Sequence, residues 1–152
     1  MKYRITLIVL ILLFGGYYLL APYFNNTSLD EPLPEIVSEP ETTEEDTVSF
    51  STTPAPLIPT PSHPAEGTAR IIEEGGSLYL RYEDFKTING PDLFVYLSTD
   101  EKASEFINLG ELKATEGNLN YEIPEGVNPE DYPYALVWCK AFGVLFNSAK
   151  LY

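Results

Sequence analysis

One cysteine, one histidine and one methionine are all that the 152 residues offer of the usual soft ligands and nucleophiles. With Cys139 alone there is no intrachain disulfide. With His63 as the only imidazole and Met1 as the only thioether, neither a Cys/His zinc cluster nor Met/His haem ligation can be assembled. The residues identify no cofactor. Positive charge is also scarce, since 9 Lys and Arg face 23 Asp and Glu, for a formal charge of −14. A surface of that sign repels phosphate, which excludes nucleic acid as a partner. The shortage is uneven: residues 1–24 hold no acid and residues 25–66 hold no Lys or Arg, so the three parts of the chain carry +2, −9 and −7.

Residues 5–24 read ITLIVLILLFGGYYLLAPYF without a charge. At about 1.5 Å per residue, 20 helical residues cover roughly 30 Å, the thickness of a bilayer's hydrocarbon core. The expectation is a single membrane-spanning helix and hence a cell-membrane location. Lys2 and Arg4 precede the run and no basic residue follows until Arg70, which places the N-terminus in the cytoplasm and the C-terminal domain outside it. Tyr17, Tyr18, Tyr23 and Phe24 gather at the outer end, as interfacial aromatics do. A cleaved signal peptide is the competing reading. It fits less well, because a cut after Ala21 would put Leu19 where a small residue is wanted and Pro22 just after the cut.

Residues 25–66 contain eight of the 13 prolines, many Ser and Thr, and nine acids, among them Glu44-Glu45-Asp46. Such a segment cannot bury enough apolar surface to offset chain entropy, so a disordered stalk is expected over 25–66. Fully stretched it would reach roughly 130 Å. His63 lies in this stalk with no second ligand near it in sequence, and reads as a bystander.

From residue 67 to 152 the pattern changes to short β-branched and aromatic runs separated by Gly, Asn, Pro and Asp. Strands are expected near Thr68–Ile72, Ser77–Tyr82, Asp92–Ser98, Phe106–Leu109, Leu119–Ile123, Tyr134–Lys140 and Gly143–Leu151. Glu74-Gly75-Gly76, Asn89-Gly90-Pro91 and Gly117-Asn118 read as turns. Ser98-Thr99-Asp100-Glu101 has capping-box spacing, and Asn128-Pro129-Glu130 looks like a capped helical start. Leu93-Phe94-Val95-Tyr96-Leu97 is apolar on both faces, as a strand between two layers should be. About seven strands in such a length predict an all-β, antiparallel β-sandwich with Greek-key connections, with a small β-barrel as the alternative.

The densest stretch is Tyr134-Ala135-Leu136-Val137-Trp138-Cys139-Lys140-Ala141-Phe142. If it is extended, Cys139 shares a face with Ala135, Val137 and Ala141, while Trp138, Lys140 and Phe142 point the other way. The Trp-Cys-Lys-Ala-Phe ending resembles that of the DM-thirteen domain. So do Tyr82-Glu83-Asp84-Phe85, Asn89-Gly90-Pro91-Asp92-Leu93, Leu109-Gly110-Glu111-Leu112 and Asn120-Tyr121-Glu122-Ile123-Pro124. The resemblance covers essentially all of residues 67–152. It implies an extracellular β-sandwich module, often found beside DOMON domains, with redox or electron-transfer work falling on Cys139 as the candidate redox thiol. The partner would be an extracytoplasmic protein or redox partner that the sequence does not name.

Two readings of Cys139 stand side by side. A lone Cys amid Val, Ala and Trp packs as a small hydrophobe, and apolar burial makes a thiol inert. A reactive Cys139 would instead need access and partial ionisation. The corresponding function classes are a membrane-tethered redox module and a non-catalytic surface binding module with Cys139 in its core. A conventional hydrolase is not supported, because the domain has no histidine and no recognisable nucleophile–base pair. Glu83, Asp84 and Asp92 flank the Asn89-Gly90-Pro91 turn and are weighed as a calcium site or an acid/base pair, but turn acids are more often solvated or capping groups and no calcium-loop spacing is present. No metal site is assigned.

Overall fold

The computed structural model describes residues 2–24, 26–34 and 51–152. Helix α1 spans Lys2–Phe24. Its described side chains run from Thr6 to Tyr17. Among the described residues no helix is long and apolar enough to cross a membrane.

The remainder is a sandwich of two sheets. Strands β1 (Ser28–Asp30), β2 (Ala55–Pro56), β4 (Ala65–Glu74), β5 (Ser77–Thr87) and β8 (Glu116–Glu122) form the first, in the order β1-β8-β5-β4-β2. Strands β3 (Ile58–Pro59), β6 (Leu93–Ser98), β7 (Phe106–Glu111), β9 (Tyr134–Cys139) and β10 (Val144–Lys150) form the second, in the order β3-β10-β9-β6-β7. Every pairing is antiparallel except β1 on β8, and neither sheet closes on itself, so the fold is a sandwich and not a barrel.

The seven strands expected from the sequence are β4 to β10. Period-two alternation turns Ala69 and Ile71, Leu80 and Tyr82, Val95 and Leu97, Leu119 and Tyr121, and Ala135, Val137 and Cys139 into one shared core. Each fully buried aliphatic side chain there contributes about 1.5–3 kcal/mol relative to exposure. The other face of β6 is also covered: Tyr96 is buried and stacks on Phe106 with ring centroids 4.2 Å apart. The β4–β5 hairpin turns through Gly75 and Gly76, both at positive φ, the conformation a two-residue turn of this hand requires. Asn128 accepts a hydrogen bond from the Glu130 amide and caps a short 3-10 turn over Pro129–Asp131, as the capped-start reading anticipates.

Several expectations need correction. The stalk set at 25–66 is partly built into the sandwich, since residues 28–30, 55–56 and 58–59 are strands and the boundary at Gly67 falls inside β4. Residues 35–50 of that stalk lie outside the described residues. The chain passes from β2 in one sheet to β3 in the other through Leu57, whose side chain is buried in the core between them and whose amide bonds the Gly67 carbonyl at 3.0 Å. Gly117-Asn118 is not a turn but the start of β8, where the missing Cβ of Gly117 lets the Leu29 backbone approach. The capping-box sequence forms no helix. Instead Asp100 folds the loop onto itself, accepting from the amides of Lys102 at 2.9 Å and Ser104 at 3.1 Å and from the Ser104 hydroxyl at 2.7 Å. A carboxylate that satisfies amides two and four residues on replaces helical bonds. Ala141 lies in the β9–β10 turn and is exposed, so it does not share the core face of Cys139.

Candidate functional site

Cys139 is the last residue of β9, in register with Leu93 on β6 and Val144 on β10. It is 1% exposed, and its thiol donates to the Pro91 carbonyl oxygen at 3.0 Å. Pro91 belongs to the turn that leads into β6, so the one candidate redox residue is roofed by the Asn89–Asp92 turn.

That turn is held on all sides. Asn89 accepts from the Gly90 amide at 2.8 Å, and the Lys140 amide reaches the Asp92 carbonyl at 3.0 Å. Gly90 rests on the ring of Phe146 so closely that a side chain there would meet the ring. Asp92 carries a φ of 58°, a left-handed conformation that costs a non-glycine residue free energy and is kept only where surroundings enforce it. A cleft of about 330 Å³ opens beside the turn, with Asn89, Gly90 and Asp92 on its wall together with Glu111, Thr27 and Thr115. Its charged groups are acids. Burial, and then the nearby Asp92 charge, push the Tyr96 hydroxyl above the usual tyrosine range.

Lys140 is turned away from the sulfur, with Nζ 4.8 Å from the centroid of the Phe94 ring on the outer face, as strand alternation requires. It supplies no positive charge to a thiolate. Thiolate chemistry at Cys139 therefore requires the turn to lift, which breaks the bond to Pro91 and admits water.

The three carboxylates weighed as a metal site are not brought together. Glu83 lies between two arginines that face each other across β4 and β5, taking Arg70 at 2.7 Å and Arg81 at 3.1 Å on the same oxygen. Asp84 is exposed at an irregularity of β5, and its amide donates to Asn118. Among the described residues no group of acids, His or Cys could hold a metal ion. His63 is not a bystander in the fold. Its ring stacks on Phe146 at 3.9 Å, and Nδ1 is 2.7 Å from the Thr60 hydroxyl. Phe146 is thus clasped between His63 and Gly90, next to the roof of Cys139. Sequence reasoning missed Pro91 as the partner of the thiol and Phe146 as the support of the turn above it. The Asn-Gly-Pro turn was visible, but not what it covers.

No curated protein and no solved structure matches the chain. A family model described as electron transfer DM13 matches residues 58–151, starting at β3 and ending one residue past β10, so that it takes in the second sheet from β3 to β10, the Asn89–Asp92 turn and Cys139. The chain therefore belongs to the DM13 (DM-thirteen) family.

Proposed function

We propose that this chain is a membrane-tethered, extracytoplasmic DM13 module that relays electrons between thiols and disulfides through Cys139. The observation that carries the reading is the placement of the domain's single thiol beneath a turn with a left-handed Asp92, in a family described by electron transfer. Tethering rests on the uncharged run 5–24 within α1. Its described apolar side chains, among them Leu7, Ile8, Leu10, Ile11, Leu12 and Phe14, are exposed on every side of the helix, a distribution that calls for an apolar surrounding. Lys2 and Arg4 on one side only set its direction.

A lone cysteine can pass electrons by thiol–disulfide exchange with partner proteins. With the turn lifted, the thiol loses its proton to solvent, and the thiolate attacks a partner protein's disulfide. The partner's S–S bond breaks, a mixed disulfide forms at Cys139, and the displaced sulfur leaves as a thiolate. A thiolate of a dithiol second partner then attacks the Cys139 sulfur, releasing the first partner fully reduced. The second thiolate of that dithiol displaces Cys139 as a thiolate and closes a disulfide, so that two electrons pass from the second partner to the first.

The test is a labelling time course with a small maleimide across a urea series, with Cys139→Ser as the control. Labelling that proceeds well below the unfolding midpoint, at a rate insensitive to urea, reports local opening of the turn and supports the relay. Labelling that tracks global unfolding favours the second reading, a surface interaction module in which Cys139 is core filler. The 1% exposure of Cys139 is what speaks for that alternative.

A further inference from the structure

Immediately after α1 the chain lies down along the outer edge of β8, and the edge is built to receive it. The Thr27 amide donates to the Thr115 hydroxyl at 3.0 Å, and the Thr27 carbonyl accepts from the amides of Thr115 at 2.9 Å and Glu116 at 3.1 Å. Strand β1 then pairs in parallel with residues 116–118 of β8, over the bare Cα of Gly117. The Glu31 amide bonds the Asn118 carbonyl at 2.8 Å, and the Glu31 carboxylate takes the Asn120 amide at 2.7 Å and Lys113 Nζ at 2.9 Å. Arg81, which is 6% exposed, donates to the carbonyls of both Glu31 and Pro32 at 3.3 Å.

These contacts are almost all polar; those to Thr115, Arg81 and the Asn120 amide are partly buried, and the Glu31–Lys113 pair is exposed. Every residue of β1 is exposed, Leu29 included. Hydrogen bonds and ion pairs in that setting contribute little net, and fixing the backbone from Thr27 to Pro32 costs a comparable amount. The segment also lies outside the family match, which begins at residue 58. It is therefore the part of the sandwich that can leave without dismantling the core.

We propose that residues 27–32 are a reversible latch that sets how far the domain stands from the end of α1. Latched, two residues separate Phe24 from Thr27, and the domain is held within about 10 Å of the helix end. Released, the β8 edge is freed and the domain is joined to α1 through the whole segment up to β2. The charge pair Glu31–Lys113 makes the latch sensitive to salt. For the part of this inference that concerns a membrane, it rests on the anchor reading above.

The experiment uses the full chain in lipid nanodiscs and follows amide exchange by NMR. The amides of Thr115, Glu116 and Asn120, which donate to the segment, should exchange at least roughly tenfold faster than those of Leu80 and Tyr82 in the β5 ladder, because opening of the latch is local. Glu31→Ala should accelerate the first group again and leave the second unchanged, and the exchanged pair Glu31→Lys with Lys113→Glu should restore part of the protection. Exchange of both groups at one rate, or uniform acceleration by Glu31→Ala, overturns the latch and makes β1 an integral strand. A paramagnetic headgroup label supplies a second arm, broadening the domain's signals in the wild type and less so in Glu31→Ala. Equal broadening in both proteins overturns the stand-off while the anchor reading stands, whereas no broadening in either protein overturns the anchor reading, and the exchange arm still decides the latch.

Discussion

Two buried tyrosines in contact should respond in opposite directions to the loss of one oxygen. Tyr82 is wholly buried, packs against Phe85 at 5.0 Å and meets Tyr121 edge-on at 6.1 Å. Its hydroxyl has no hydrogen-bond partner among the described residues. Burial, reinforced by the neighbouring Tyr121, pushes its ionisation far above the usual range. The Tyr121 hydroxyl, in contrast, accepts from the Lys113 amide at 2.9 Å. An unpaired buried hydroxyl costs about 1–3 kcal/mol, and the small void left by its removal returns part of that cost, so Tyr82→Phe should stabilise the fold by about 1 kcal/mol. Tyr121→Phe gives up a satisfied bond and should destabilise by about 0.5–1.5 kcal/mol. For a domain of this size each kcal/mol moves the melting temperature by roughly 4–8 °C. Urea unfolding followed through Trp138, the only tryptophan, reads both variants. A Tyr82→Phe protein less stable than wild type by about 1 kcal/mol or more would refute the reasoning, since the hydroxyl would then have a partner such as a trapped water.

Two further outcomes are expected. Burial against Phe146 lowers the pKa of His63 from 6.5, so the unfolded chain takes up its proton first as pH falls. That contribution to stability is complete above about pH 6.5 and declines below it. The melting-temperature difference between wild type and His63→Phe should therefore change between pH 8 and pH 5, and a constant difference would show that His63 does not titrate against folding. Protease added to intact cells or spheroplasts should release the sandwich while the first four residues stay protected. The reverse pattern would invert the proposed topology.

Period-two alternation carried the core of the fold into view. Val95 and Leu97, or Ala135, Val137 and Cys139, face inward because the pleat leaves no other choice once one of them is buried. The strands at 28–30, 55–56 and 58–59 were illegible for a physical reason. They are two or three residues long, contain proline or acid, and are held by backbone bonds to neighbours distant in sequence, so composition alone assigns them to a stalk. Asp100 shows the same limit on a smaller scale, where a carboxylate's choice between capping a helix and closing a loop depends on the residues C-terminal to it. At the site, the inward face of Cys139 was readable. Its roof was not, because the bond from Sγ to Pro91 joins residues 48 positions apart.

The crossing through Leu57 also bears on how the molecule behaves in company. The amides of Leu57 and Thr60 point inward, to Gly67 and Phe146, so by alternation Pro56 and Pro59 occupy the outward positions of β2 and β3. Each is the terminal strand of its sheet. Where a bare edge would present an N–H to any passing strand, proline presents none. The segment whose composition reads as a stalk therefore also shields one side of both sheets from self-association, and a fragment cut at Gly67 would uncover the flanks of β4 and β10 and become prone to aggregate.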